Sequence, residues 1–138
     1  MKYLIIFWLG LLSFRNEVKA QDFELTILVQ NVQTSDGKVR AGLYDSEGTF
    51  LKEGVYVAGE AKEKEVAKLV FSGVAQGKYA VSVFHDENDN EELDTMVFGI
   101  PSEPFGFSND ATGSFGPPTF EDSSIEMNQD KTISITLN

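Results

Sequence analysis

The chain has 138 residues, with 22 acidic and 11 basic side chains and a formal net charge of −11. Such an acidic surface repels polyanions, so we expect no nucleic-acid partner and no attraction to anionic lipid. The absence of cysteine excludes disulfides and thiolate metal sites, and a single histidine excludes a multi-histidine zinc site.

The first twenty residues have the three parts of a secretory signal peptide. Lys2 gives a positive start, Tyr3 to Leu12 is apolar but too short to cross a bilayer, and Val18 and Ala20 flank a cleavage position. We expect cleavage after Ala20, a secreted or periplasmic protein, and no membrane insertion of residues 21–138. The removed segment holds three basic residues and one acidic residue, so the remaining chain would carry a net charge of −13. The alternative is an uncleaved amphipathic anchor.

The first strands are indicated by alternating apolar and polar residues. Phe23 to Val29 alternates with period two, which is typical of a strand with one buried face. Asp36-Gly37 predicts a tight turn because glycine accepts positive φ, so Lys38 to Tyr44 is expected to complete a hairpin. Asp45 to Lys52 is polar and predicts a loop with one helical turn.

Further strands follow in the second half of the chain. Glu65 to Phe71 is interpreted as a charged edge strand, and Lys78 to Phe84, apolar on both faces, as a central strand. Ile125–Met127 and Ile133–Leu137 are expected to form a terminal hairpin. We therefore predict an all-β fold over residues 21–138, a single antiparallel Greek-key-like β-sandwich of about seven strands.

The segment after the predicted central strand has the spacing of a calcium loop. Oxygen-bearing groups recur at alternate positions, which lets one tight turn direct several of them to one centre. The candidate metal ligands are Asp86, Asn88, Asn90, Glu92 through its carbonyl, and Asp94, at loop positions 1, 3, 5, 7 and 9. The sequence therefore predicts a Ca²⁺ site here.

Two positions depart from the EF-hand pattern. Glu91 stands where the sharp bend takes glycine, and Val97 stands where a bidentate glutamate would complete the site. We predict that Glu103, Glu121, Asp122 or water supplies the missing ligands, with a weak affinity of ~10⁻⁴ to 10⁻³ M. The alternative is a solvated turn whose side chains bond their own backbone.

His85 lies at the edge of this loop and has two interpretations. It is either a hydrogen-bond donor to Asp86 or Asp94 beside a metal, or a structural hydrogen-bonding residue. A hydrolase using His85 with Asp86 or Asp94 is the least favoured reading, because no Gly-x-Ser-x-Gly motif accompanies it. We therefore expect a non-enzymatic protein.

Phe98 to Phe120 is rich in aromatic residues, glycine and proline. It contains five of the eleven phenylalanines and all four prolines, which predicts an ordered long loop packed on the sheet. One interpretation is that Phe105, Phe107, Phe115 and Phe120 cap the core. The other is a groove for an unknown extracellular or periplasmic ligand, such as a glycan, peptide or lipid. Its candidate residues are His85, Phe105, Phe107, Asn109 and Phe115, with Phe105 and Phe107 as the expected exposed pair.

The central block of the sequence resembles a known family. Phe-His-Asp-Glu-Asn-x-Asn-x-x-Leu-Asp-Thr, Phe-Gly-Ile-Pro-x-Glu-Pro-Phe-Gly-Phe-Ser-Asn and Phe-Gly-Pro-Pro-x-Phe-Glu-Asp are similar to the DUF2141 family of exported bacterial proteins. The resemblance implies a signal peptide and one β-rich domain, and it supplies no activity or substrate. Family members usually have glycine where Asp89 and Glu91 stand here. The run from Val70 to Phe84 is also similar to prealbumin-like and carboxypeptidase-regulatory-like sandwiches, an analogy of fold alone.

Overall fold

The structure, a computed structural model, describes residues 21–96 and 101–138. The predicted signal peptide, Val97 at the last position of the predicted calcium loop, and residues 98–100 at the beginning of the aromatic segment lie outside the described residues. Eight strands are present in the described part: β1 Asp22–Gln30, β2 Lys38–Tyr44, β3 Val55–Glu60, β4 Ala67–Ala75, β5 Gly77–Asp86, β6 Phe105–Phe107, β7 Ser124–Met127 and β8 Lys131–Thr136. The all-β prediction is confirmed, and β3 and β6 are strands that the sequence analysis missed, β6 having been assigned to the long loop.

The strands form two sheets. The smaller has the order β4-β1-β8, and the larger has the order β3-β2-β5-β6, with β7 also paired to β5. The charged segment before Phe71 is therefore an edge strand, and the strand after Gly77 is central, as predicted. Among the described residues, no helix is both long and apolar enough to cross a membrane.

Two predicted hairpins and the purely antiparallel arrangement are wrong. β1 and β2 belong to different sheets, and so do β7 and β8, so both turns carry the chain from one sheet to the other. β8 pairs with β1 in parallel, with Ile27 beside Ile133 and Val29 beside Ile135. The sequence patterns predicted β1, β2, β4, β5, β7 and β8, but they contain no information on which strand is the partner.

The hydrophobic core takes side chains from both sheets. Leu25, Ile27 and Val29 of β1 are fully buried, together with Val81 and Val83 of β5. Each such side chain stabilises the fold by roughly 1.5–3 kcal/mol relative to an exposed one. Because side chains alternate along a strand, the residues between them on β5 point to the opposite face of the larger sheet. That outer face carries the candidate functional site.

Candidate functional site

The outer face of the larger sheet is covered by an aromatic layer. β5 pairs with β6 so that Ser82 lies opposite Phe107 and Phe84 lies opposite Phe105, and directly paired residues share a face. The ring of Phe50 lies at the centre of the layer, with ring-centroid distances of 5.5 Å to Tyr44, 6.3 Å to Phe107 and 6.0 Å to Phe120. These tilted and edge-on contacts are favourable beyond the area they bury. The aromatic layer is thus a second apolar cluster, separate from the core between the sheets.

Ser108 joins the two short strands that pair along one side of β5. β7 pairs with the first part of β5 and β6 with its later part, which leaves the backbone of Val81 between them. The Val81 amide donates to Ser108 Oγ at 2.9 Å, and the Ser108 hydroxyl donates to the carbonyl of Ser123. Ser108 is fully buried. Its hydroxyl accepts the Val81 amide at the point where neither β6 nor β7 provides a backbone partner.

Asn109 has a structural role next to that serine. Its φ of 63° lies in the left-handed region, which asparagine tolerates better than most residues. Its side-chain amide donates to the carbonyls of Asp122 at 3.1 Å and Ser124 at 2.8 Å. Both donors of the amide are therefore used in holding the start of β7, although the sequence analysis placed Asn109 among the ligand-binding candidates.

A cavity of about 540 Å³ opens on the outer face beside the aromatic layer. Its walls come from β2, β5 and β6, from the end of the acidic loop, and from residues 115–117 of the long loop. The lining residues are Tyr44, Leu51, Ser82, Val83, Phe84, Leu93, Thr95, Pro101, Phe105, Phe107, Phe115, Gly116 and Pro117. Within the described chain this lining contains no charged side chain, and its polar side chains are hydroxyls.

The phenylalanines predicted to form a groove are brought together at this cavity. Phe105, Phe107 and Phe115 all line it. The expected exposed pair is wrong, because Phe107 is 7 % exposed and Phe105 is half-buried, whereas Phe115 is fully exposed. Phe107 faces the aromatic layer because its β6 backbone is fixed to β5, a pairing that the sequence did not reveal.

Two of the three hydroxyl side chains in the cavity wall, those of Tyr44 and Ser82, form a pair, and the third belongs to Thr95. Tyr44 Oη lies 3.0 Å from Ser82 Oγ. The Tyr44 ring packs over two glycines: a Cβ added at Gly42 would lie 2.5 Å from its hydroxyl, and one added at Gly54 would lie 2.8 Å from its ring. Burial raises the pKa of Tyr44 above its ordinary value, outweighing the opposite effect of the Ser82 hydrogen bond. The tyrosine is therefore a neutral hydroxyl at physiological pH.

The first candidate metal ligand, Asp86, is paired with an arginine. Arg40 Nε donates to Asp86 Oδ2 at 2.7 Å, and the amides of Asn90 and Glu91 donate to the same carboxylate at 3.1 and 2.9 Å. Burial alone would raise the pKa of Asp86, but the Arg40 and amide hydrogen bonds outweigh it and hold the pKa below its ordinary value. Arg40 Nη2 also donates to Asp89 at 2.6 Å. The acidic loop is thus neutralised in part by a cation of the protein itself.

The other predicted ligands lie together at the far side of the loop. The side-chain amides of Asn88 and Asn90 donate to Asp94, the latter at 2.7 Å. Their side-chain oxygens accept backbone amides within the loop, as in the alternative of a solvated turn. Glu92 is exposed. Glu91 has a φ of 67°, so it adopts the bend for which the sequence analysis expected glycine.

Glu103 fastens the acidic loop to the segment that precedes β6. Its carboxylate accepts the amide of Glu87 at 2.8 Å and the amide of Asp94 at 2.9 Å, and the side chain is 7 % exposed. Glu103 was proposed as a distant metal ligand, whereas here it holds the backbone of the loop at both ends. Across residues 21–96 and 101–138, no cluster of three or more Asp, Glu, His or Cys side chains is arranged to hold a metal ion.

His85 lies inside the protein rather than at a ligand-accessible edge. It is fully buried, and its Nε2 lies 2.6 Å from the carbonyl oxygen of Asp36, so Nε2 carries the proton and donates. Nδ1 has no hydrogen-bond partner among the described residues, and Glu87 Oε1 is 4.0 Å away. This placement matches the structural interpretation of His85, and a buried ring cannot contact a ligand on the outer face.

Several residues of the site were not found by sequence reasoning. Arg40, Tyr44, Ser82 and Ser108 carry no motif, because each acts through a partner far away along the chain. One local signal exists for Arg40 and Tyr44. They alternate along β2 with apolar residues that face the core, so the same pattern predicts that they face outward.

Comparison with known proteins identifies a family and no function. The family model described as "Uncharacterized protein conserved in bacteria (DUF2141)" matches residues 27–136. No curated protein and no solved structure matches the chain.

Proposed function

We propose that this chain, which belongs to the DUF2141 family of bacterial proteins, is an exported, non-enzymatic domain that binds a small apolar ligand on the outer face of its larger sheet. The observation that carries this proposal is the cavity of about 540 Å³ with a lining of apolar and hydroxyl side chains. Its volume falls in the range of about 300–1,000 Å³ that is typical of small-molecule sites.

The finer description of the fold belongs to the same proposal. We propose a Greek-key, prealbumin-like sandwich over residues 21–138, released from a signal peptide by cleavage after Ala20. The shared core of the two sheets supports the sandwich arrangement. The sequence similarity between residues 70–84 and prealbumin-like sandwiches supports the proposal that the fold is of the prealbumin-like type.

The exposure of Phe115 favours ligand binding over a purely structural aromatic loop. A fully exposed phenylalanine loses the stabilisation that burial would give it, and it lies at the mouth of the cavity. The other described phenylalanines of the long loop, Phe105, Phe107 and Phe120, are at least half-buried in the aromatic layer. A bound apolar molecule would cover the Phe115 ring and the apolar wall behind it.

Fluorescence of N-phenyl-1-naphthylamine tests the proposal, because this neutral probe brightens in apolar sites. We expect saturable binding to the chain of residues 21–138. Replacing Gly116 by phenylalanine should weaken it, since Gly116 lines the cavity and a Cβ there meets no protein atom within 4 Å, which leaves room for a ring beside the ligand. Gly48→Phe is the matched control, because Gly48 lies outside the cavity and its added Cβ meets only Ser46 Oγ at 3.9 Å. Equal binding by wild type and Gly116→Phe, or no binding at all, would contradict the proposal.

Calcium binding at the acidic loop is a second candidate function. The observation in its favour is the meeting of Asn88 and Asn90 at the half-buried Asp94 carboxylate. Rotation of the two side-chain amides would direct their oxygens to a cation, at the expense of their hydrogen bonds to the loop backbone. Calorimetry of chelator-treated protein tests this: a rise in melting temperature at millimolar Ca²⁺, absent in Asp94→Asn, would support it. An unchanged melting temperature would exclude it.

A further inference from the structure

We propose that the hydroxyl pair of Tyr44 and Ser82 selects the ligand, so that the cavity takes uncharged molecules with an apolar body and one hydrogen-bond acceptor oxygen. This inference rests on the proposed ligand-binding function and specifies its chemical class. Ketones, esters and alcohols belong to this class, whereas free carboxylates and pure hydrocarbons do not.

The number of protons in the hydroxyl pair leaves one donor for a ligand. Tyr44 and Ser82 each carry one O–H group, and their mutual bond of 3.0 Å uses one of the two protons. The second proton remains for an acceptor oxygen that enters the cavity, in competition with the neighbouring Tyr56 hydroxyl, which contributes to the raised pKa of Tyr44. Since both residues line the cavity, the donor and the apolar wall meet at one place.

The Tyr44 hydroxyl is held in place before any ligand binds. Tyr44 is 4 % exposed, and its ring lies against Gly42 and Gly54. Any larger residue at either glycine would clash with the ring or its hydroxyl. Phe50 packs edge-on against the same ring at 5.5 Å. A donor fixed in this way loses little conformational entropy on binding, which favours selectivity.

The absence of a positive charge among the described lining residues disfavours an anionic ligand in the same cavity. None of the described lining residues carries a positive charge, and the nearby Arg40 is paired with Asp86 and Asp89. A carboxylate moved into this apolar lining would lose its hydration without gaining a cation partner. The hydroxyl stays protonated because burial raises the pKa of Tyr44. The cavity is therefore a donor site and not an anion site.

Displacement of N-phenyl-1-naphthylamine by 2-nonanone, nonane and nonanoate tests this selection, since the three molecules share one chain length. We expect the ketone to displace the probe from wild type and nonanoate to be ineffective. In the Tyr44→Phe, Ser82→Ala double variant, the affinity for the ketone relative to nonane should fall by about tenfold, the effect of one hydrogen bond. The affinity for nonane should be unchanged or rise.

The infrared carbonyl stretch of bound 2-nonanone provides a second measurement that needs no variant. A hydrogen bond from the hydroxyl pair should lower this frequency relative to the ketone in hexane. An unshifted stretch, equal displacement by nonanoate, or an unchanged ketone-to-nonane ratio in the double variant would overturn the inference while leaving ligand binding intact. If the probe does not bind wild type at all, the proposed function fails and this inference fails with it.

Discussion

The guanidinium of Arg40 donates to the buried carboxylate of Asp86 at 2.7 Å and thereby joins the middle of β2 to the end of β5. Arg40 is 18 % exposed and Asp86 is not exposed at all. The second contact of Arg40, to Asp89, lies within the acidic loop. An internal cation thus stands beside the loop for which the sequence predicted a metal ion.

Removing this cation should destabilise the protein strongly. Arg40→Gln leaves the buried charge of Asp86 without its ion-pair partner, and we expect a loss of about 3 kcal/mol in the free energy of unfolding. Arg40→Lys should lose less, because an ammonium keeps the charge but cannot reproduce the geometry of the two hydrogen bonds. Urea denaturation of the three proteins measures these differences.

The control for the arginine lies on the same strand. Lys38 is exposed and forms no ion pair among the described residues, so Lys38→Gln should change the stability by less than about 0.5 kcal/mol. Equal effects of Arg40→Gln and Lys38→Gln would show that the Arg40–Asp86 pair does not hold the loop.

The stability should depend on pH through Asp86. Its pKa in the folded protein is lowered from the ordinary value of 3.8, so its contribution is fully present above that value and is lost as the pH falls through the folded pKa. The stability difference between wild type and Asp86→Asn should therefore be constant above about pH 5 and shrink in more acidic solution. Urea denaturation at a series of pH values measures it. A difference that stays constant down to pH 2 would contradict the assignment.

Ser108 should be more important for stability than its size suggests. Ser108→Ala leaves the buried amide of Val81 and the carbonyl of Ser123 without their partner, and each unsatisfied group costs about 1–3 kcal/mol. We expect a loss of about 2–4 kcal/mol for the variant. Ser102→Ala is the matched control at an exposed position and should change the stability little. Indistinguishable melting temperatures of the two variants would refute the structural role of Ser108.

The sequence predicted local structure better than it predicted partners. Gly37 was correctly expected in a turn with positive φ, but the turn does not close a hairpin. A Cβ at Gly37 would lie 1.8 Å from the carbonyl oxygen of Asp86, so glycine is needed there because the end of β5 approaches closely. No local pattern predicts that approach, since it depends on the pairing of β2 with β5 in the larger sheet, which places Lys38 opposite Asp86.

The same limit applies to the candidate site. The acidic residues after β5 were recognised from their spacing, whereas their cation, Arg40, is 46 residues away along the chain from Asp86. The aromatic segment was expected to be packed, and Phe107 and Phe120 are indeed buried. Which phenylalanine stays exposed depends on the pairing of β6 with β5, and this pairing was not predictable from composition.

Substitution of Phe120 should affect the stability of the protein, whereas substitution of Phe115 should affect ligand binding. Phe120 is 8 % exposed and packs on Phe50 at a ring distance of 6.0 Å, so Phe120→Ala should lower the free energy of unfolding by about 3–5 kcal/mol. Phe115 is fully exposed, so Phe115→Ala should change the stability by less than about 0.5 kcal/mol. Because Phe115 lines the cavity, the same variant should weaken binding of N-phenyl-1-naphthylamine several-fold.

The decisive comparison is between the two measurements on Phe115→Ala. A fall in probe affinity at unchanged stability assigns the exposed ring to ligand contact, because no loss of folded protein accompanies it. A fall in stability similar to that of Phe120→Ala would instead mean that Phe115 packs against the protein in solution and belongs to the aromatic layer. Unchanged affinity together with unchanged stability would remove Phe115 from the site and leave the ligand to the other lining residues, among them Tyr44, Ser82 and Phe105.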